Sequence, residues 1–213
     1  QDRQPGTRTS GDLAAAYLQV REFTDTLCET LAPEDFVIQS MPDVSPIRWH
    51  IAHTTWFFET FVLARLPGHR VFHDQFAYLF NSYYNTVGAQ FPRPQRGLLS
   101  RPTVSEIQQY RKAVDEQMID LLQSDSTVDE ELAQVIELGL HHEQQHQELM
   151  LTDIKHVFSC NPLLPTFRSG RFAPASGHED QEWIDFDERI YHIGHEGSRF
   201  AYDNESPRHR VLL

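Results

Sequence analysis

The sequence predicts a four-helix bundle over residues 1–160, followed by a linker and the opening of a second, β-containing unit over 161–213. Three observations predict this. Four stretches repeat apolar residues at steps of three and four, each long enough for several helical turns. Capping residues and Pro/Gly stops punctuate those stretches. After Asn161 the helical period vanishes, and Pro, Gly and Ser break the chain into short aromatic segments, WIDFDERIYHIG and RFAYDNESPRHRVLL.

Helix one is expected over Ser10 to Leu31, where Leu13, Tyr17, Val20, Leu27 and Leu31 recur at helical spacing and Asp12 faces the positive end of the dipole. A loop over 32–44 leads to Ser45 and Pro46, read as an N-cap and a proline at the first helical position. The run IRWHIAHTTWFFETFVLARL follows, until Pro67 and Gly68 stop it. It is apolar on most sides, so this second helix is central. Residues 67–102 form a long connection rich in aromatics, prolines and arginines, a length usually kept for function. Thr103 with Glu106 is a capping box for helix three, which carries Ile107, Tyr110, Val114, Met118 and Leu121. Thr127 with Glu130 repeats the device for helix four, which runs toward Phe158.

A net charge of −13 and the absence of any Lys/Arg cluster argue against nucleic acid and anionic membrane surfaces as partners. The start QDRQPGTRTSGDL has no apolar run for a signal peptide, and no stretch reaches the roughly eighteen apolar residues of a membrane span. A cytoplasmic location is the expectation. Cys28 and Cys160 make neither a disulfide framework nor a C-x-x-C pair and read as structural thiols. Several histidines, such as His178, His192 and His209, lie in loop-like sequence where solvation is usual.

The chemistry concentrates in LGLHHEQQHQELMLTD, residues 138–153. His142 and His146 are one turn apart on one helical face, and the row continues through Val135, Gly139, Leu149 and Asp153, which turns it to the core. His141 and Glu143 stand about 100° to either side of His142 and cannot share that face; Glu148 is about 200° round from His146. Two readings fit: a pair of satisfied core histidines, or two ligands of a metal that needs a third from another helix. On helix two, His53 lies in the row Trp49, His53, Trp56, Thr60 and Leu63, whereas His50 shares a row with Thr54 and Phe57. His53 is the better-placed third ligand, since facing helices of a bundle can supply one site. A histidine bonded inside an aromatic core is its other reading. Arg93, Arg96 and Arg101, set among prolines, fit either a bidentate carboxylate clamp or ordinary surface arginines.

Three signatures in order, HIAHTTWFFET, FNSYYNTVGAQFPRPQRGLLSRP and HHEQQHQELML, resemble the iron-dependent sulfoxide synthases of ergothioneine biosynthesis. The tail IGHEGSRFAYDNESPRHRV is similar to the opening of their second domain, which is formylglycine-generating-enzyme-like (C-type-lectin-like). The resemblance spans residues 10 to 213, roughly, and implies a DinB-like four-helix bundle joined to part of an α/β-type second domain. It implies Fe(II) ligands at the second histidine of W-H-x-x-H and both histidines of H-x-x-x-H-x-E. Those are His53, His142 and His146, the three that helix geometry singles out. Gln145 matches the family's glutamine that contacts the trimethylhistidine imidazole; a core amide bonded to backbone is its other reading. Arg93, Arg96 and Arg101 fall in the region similar to the one that helps hold the sulfur donor's carboxylates.

The implied partners are hercynine, cysteine or γ-glutamylcysteine, and O2, joined as a sulfoxide at C2 of the imidazole. The family's catalytic tyrosine lies in the second domain, most of which is expected beyond Leu213, so turnover is expected to need the remainder of that domain. Rival readings are an ovothiol-type 5-histidylcysteine sulfoxide synthase, a DinB-like metal-dependent thiol S-transferase, and a non-enzymatic metal-storage bundle. Ligand histidines need acceptors for their other ring nitrogens; Glu148 and Asp153 are candidates, with ordinary helix solvation the alternative for each.

Overall fold

The computed structural model describes residues 10–82, 84, 86, 88–124, 128–170, 182–197 and 200–213. The chain divides into two compact units, one of them Thr7–Arg168 and the other containing Ser169–Leu213. In the first, four long helices carry the fold: α1 (Ser10–Cys28), α2 (Ile47–Phe61), α4 (Val104–Gln123) and α5 (Glu130–Ser159). A short helix, α3 (Phe76–Phe80), lies in the long connection, together with a 3-10 segment at Arg93–Leu98.

Both α1 and α2 pack along α4 and α5. Every residue of α2 from Ile47 to Glu59 is buried, as its all-round apolar character requires. Tyr17 of α1 meets Phe58 of α2 edge-on at 5.0 Å, which knits the centre of the bundle. Gly139 lets α5 come close: a Cβ there would stand 2.6 Å from the Phe58 ring. Any larger residue would push α5 off α2.

Several boundaries differ from the sequence reading. Ser45 does not cap α2, which begins at Ile47 with Pro46 before it; the Ser45 backbone N–H donates to Asp153 and its hydroxyl accepts from Arg96. The helix ends at Phe61, and a 3-10 turn over Leu63–Arg65 completes the run before Gly68 turns the chain at φ +79°. Helix α1 ends at Cys28 rather than Leu31. The Thr103/Glu106 capping box stands as expected, but Leu122 rather than Leu121 is the fully buried residue one turn after Met118. Thr127 lies outside the described residues; Asp129 caps α5 by accepting from the Leu132 N–H at 2.8 Å, which makes Glu130 the first helical residue. On α5 the buried row is Ile136, Gly139, Leu140, Glu143, His146, Gln147, Met150, Asp153 and Ile154. Leu149, expected inside, is exposed, because the row is centred one position nearer Glu143.

In the second unit, β1 (Ile190–Ile193) pairs antiparallel with β2 (His209–Leu212), Ile190 opposite Leu212 and Ile193 opposite His209. Gly194 takes φ +108° directly after β1, where the chain turns and the His195 N–H donates to the Glu205 carbonyl. The described residues of this unit hold that two-stranded sheet and no other strand. Among the described residues no helix is long and apolar enough to cross a membrane.

Candidate metal centre

His53 sits in the middle of α2, where the surrounding aromatic rows leave it 2 % exposed. Trp49, one turn before it, stacks on the imidazole at 4.6 Å, and Trp56 stacks at 5.7 Å. Its Nδ1 lies 2.5 Å from the Phe80 carbonyl at the end of α3, so the connection reaches into the site and fixes the ring. That contact makes Nδ1 the protonated nitrogen and turns Nε2 outward as a lone pair.

Across the helix interface α5 presents His142 and His146 with ring centroids 4.7 Å apart. The His142 Nε2 is 3.1 Å from the His53 Nε2. One ring nitrogen from each of His53, His142 and His146 lies within 4.8 Å of the other two. For comparison, two nitrogens held tetrahedrally at about 2.0–2.1 Å from one ion stand about 3.3–3.4 Å apart. The three residues therefore fit a common ion with ring movements of order 1 Å at the widest pair. His142, half-buried against the Phe57 ring at 4.9 Å, is the most exposed of the three.

Burial dominates at all three rings, and at His142 it outweighs the opposing effect of the Glu143 carboxylate. Desolvation holds His53 and His146 well below the usual histidine range, with the neighbouring imidazoles adding to the effect, and lowers His142 to about 4. At neutral pH all three are neutral, the form that ligates a metal. Behind His146 stand two further residues: His50 Nδ1 is 2.8 Å from His146 Nδ1, and His50 Nε2 is 2.9 Å from an Asp153 carboxylate oxygen.

The arginines separate. Arg96 is buried, donates to the hydroxyls of Ser45 and Ser82, and lays its guanidinium on the Trp49 face at 3.4 Å. It thus touches the ring that stacks on His53 and the serine whose N–H holds Asp153. Arg93 is half-buried and donates to the Asp43 carbonyl; Arg101 is exposed and donates to its neighbour's carbonyl. Arg48 anchors the far end of the same connection by donating to the Pro102 and Leu99 carbonyls. Gln145 is exposed on α5 beside His146, and the buried glutamine is Gln147, which bonds the Val20 carbonyl and Thr24. Glu148 is exposed, whereas Asp153 is buried and serves as an acceptor in the chain behind His146.

Sequence reasoning missed His50 and, one residue from His142, the fully buried Glu143. The Glu143 carboxylate accepts from Arg21 at 2.8 Å, Arg111 at 3.1 Å and Thr24 at 2.7 Å. The two guanidiniums outweigh its burial and hold its carboxyl down at about 2. The only hint in the sequence was that Arg21, Thr24 and Arg111 occupy helical positions otherwise apolar.

A comparison with curated proteins finds no match. The profile of the DinB superfamily matches residues 16–150, more than half of the chain, from within α1 to past His142 and His146 of α5. A three-histidine cluster in this fold points to a bound metal. The chain belongs to the DinB superfamily, a family of metal-dependent proteins.

Proposed function

We propose that the chain carries the metal centre of a non-haem iron(II), O2-dependent sulfoxide synthase, joining the sulfur of cysteine or γ-glutamylcysteine to C2 of the hercynine imidazole. The observation that carries this reading is the convergence of three neutral imidazoles, with no carboxylate in the set, beside an arginine-bearing connection. The signatures that resemble ergothioneine-forming enzymes supply the substrate identities.

A ferrous ion at this centre supplies a Lewis acid that favours the donor's thiolate at neutral pH, and a redox partner for O2. His53, His142 and His146 would hold it, each through one ring nitrogen. Trp49, Trp56 and Phe57 wall the imidazoles and exclude water from that side. Arg101 and Arg93, on the connection, orient the donor's carboxylates, while Arg96 holds Trp49 and Ser45 in place. Gln145, exposed next to His146, contacts the hercynine ring. In the overall reaction the thiol S–H and the ring C2–H bonds break and a C–S bond forms. O2 is the oxidant, one oxygen entering the sulfoxide and the other leaving as water with the two hydrogens.

Mass spectrometry of aerobic mixtures tests this, with Fe(II), hercynine and each thiol in turn, using this chain alone and with the remainder of the second domain that the resemblance implies. The expected product is a hercynyl sulfoxide from one of the thiols. Iron bound without product, and a product from unmethylated histidine instead, would move the assignment to the ovothiol-type reaction. The superfamily match supports a second reading, a thiol S-transferase; thiol transfer without O2 consumption would favour it.

A further inference from the structure

The nitrogens behind His146 admit few proton arrangements. Asp153 accepts at one oxygen from both the Ser45 backbone N–H at 2.8 Å and His50 Nε2 at 2.9 Å. A carboxylate only accepts, so His50 Nε2 carries a proton. At the other end, His50 Nδ1 and His146 Nδ1 are 2.8 Å apart, and one of them must donate. If His50 donates, His146 is left with its proton on Nε2, the ring nitrogen not engaged by His50, and has no free lone pair there to ligate with. If His146 donates, its Nε2 lone pair is free.

We propose that Asp153 and His50 form a relay that holds His146 in the Nδ1–H form and aims its Nε2 lone pair at the cluster, which makes both of them positioning residues of the metal centre. This rests on reading the three histidines as a metal site. The relay spans the two helices that build the site: His50 is one turn before His53 on α2, and Asp153 is two turns after His146 on α5. Ser45, just before α2, adds the backbone donor that leaves Asp153 an acceptor toward His50. His53 gets the equivalent service from the Phe80 carbonyl. His142 gets none: its Nδ1 is buried with no hydrogen-bond partner among the described residues. With His53 Nε2 a lone pair, the 3.1 Å contact between the two rings makes His142 the donor, through Nε2–H. Two ligands are therefore pre-set for the ion and one must move its proton. Outer partners of this kind typically change metal affinity by about 10- to 100-fold when removed.

The test is two-dimensional nitrogen-15 NMR of histidine-labelled, metal-free protein near neutral pH, which distinguishes Nδ1–H from Nε2–H rings, followed by Co(II) titration. The expected spectrum has His53 and His146 as Nδ1–H, and His50 and His142 as Nε2–H. His50→Leu should release His146 to the Nε2–H form, leave the His53 signature unchanged as evidence of an intact fold, and weaken Co(II) binding about 10- to 100-fold. If His50→Leu does not fold, Asp153→Leu is read in the same way, and the wild-type spectrum alone still decides the tautomers. Nε2–H at His146 in the wild type would overturn the relay, even if Co(II) binds. The expected tautomers with no Co(II) bound would instead overturn the metal reading, and with it the positioning role.

Discussion

His142 and Glu143 are neighbours on α5, both inside the bundle, and they belong to opposite kinds of buried polar cluster. Around Glu143 every charge has a counter-charge: Arg21 bonds Glu143 and Asp115, Arg111 bonds Glu143 and the Arg21 carbonyl, and Tyr17 donates to Asp115. That cluster is balanced in charge, with Asp25 3.1 Å from the Arg111 Nε as a further counter-charge, as a buried ionic group must be to persist. Around His142 the opposite holds. Three imidazoles aim nitrogens at one another with no carboxylate between them, and one buried ring nitrogen has no partner among the described residues. Such an arrangement is satisfied by something from outside. The comparison separates polar groups that hold a fold from polar groups that wait for a ligand.

The sharpest way to break this comparison is to truncate each side in turn. Glu143→Ala leaves two guanidiniums buried without their shared carboxylate and should destabilise by about 3–5 kcal/mol in denaturant unfolding. His146→Ala should stay near the ordinary cost of a substitution, about 1 kcal/mol, while abolishing metal binding. Equal losses of stability would erase the distinction.

Next in size is the response to acid. The folded protein keeps His142 at about 4 against an ordinary 6.5, so between those values the unfolded chain binds more protons and stability falls as pH drops from about 6.5 toward about 4. Glu143 is held at about 2 against an ordinary 4.5, so its contribution, present above 4.5, is lost as pH falls toward 2. Unfolding midpoints in the two ranges should respond to different substitutions: His142→Ala lessens the slope of the upper range, where His53 and His146 still contribute, and leaves the lower one. A lower range flattened by His142→Ala would contradict the assignment.

Arg96→Lys sharpens the border between the clusters and the connection. Lysine keeps the charge but loses the fork that serves two serines and the flat face on Trp49, for about 2 kcal/mol of stability and a measurable loss of metal affinity. Undiminished affinity in a folded variant would detach the connection from the site. The smallest effect belongs to Thr103→Ala, remote from both clusters: about 1 kcal/mol from the lost capping box, with metal affinity unchanged.

The four long helices were legible because apolar spacing and caps record which face is buried, and His53, His142 and His146 because four-residue spacing on facing helices leaves few ways to converge. What escaped was long-range pairing of charge. Glu143 was placed only as a residue that cannot share the histidine face, since nothing local records that Arg21 and Arg111, 122 and 32 residues away, are its partners. His50 was passed over because its own row pointed away from His53's, although a ring on the adjacent face reaches His146 from behind. Asp153 was visible on the row of α5; its use through a second histidine was not. Leu149 was misplaced because the buried face is centred near Glu143, a residue that pattern reading counts as polar.

The most direct test of the central claim is an anaerobic Fe(II) titration of the protein, with His53→Ala, His142→Ala and His146→Ala measured beside it and each variant's fold checked by thermal melting. The account predicts one ion per chain, lost in each of the three folded variants. No bound ion, or binding that survives His146→Ala undiminished, would contradict it.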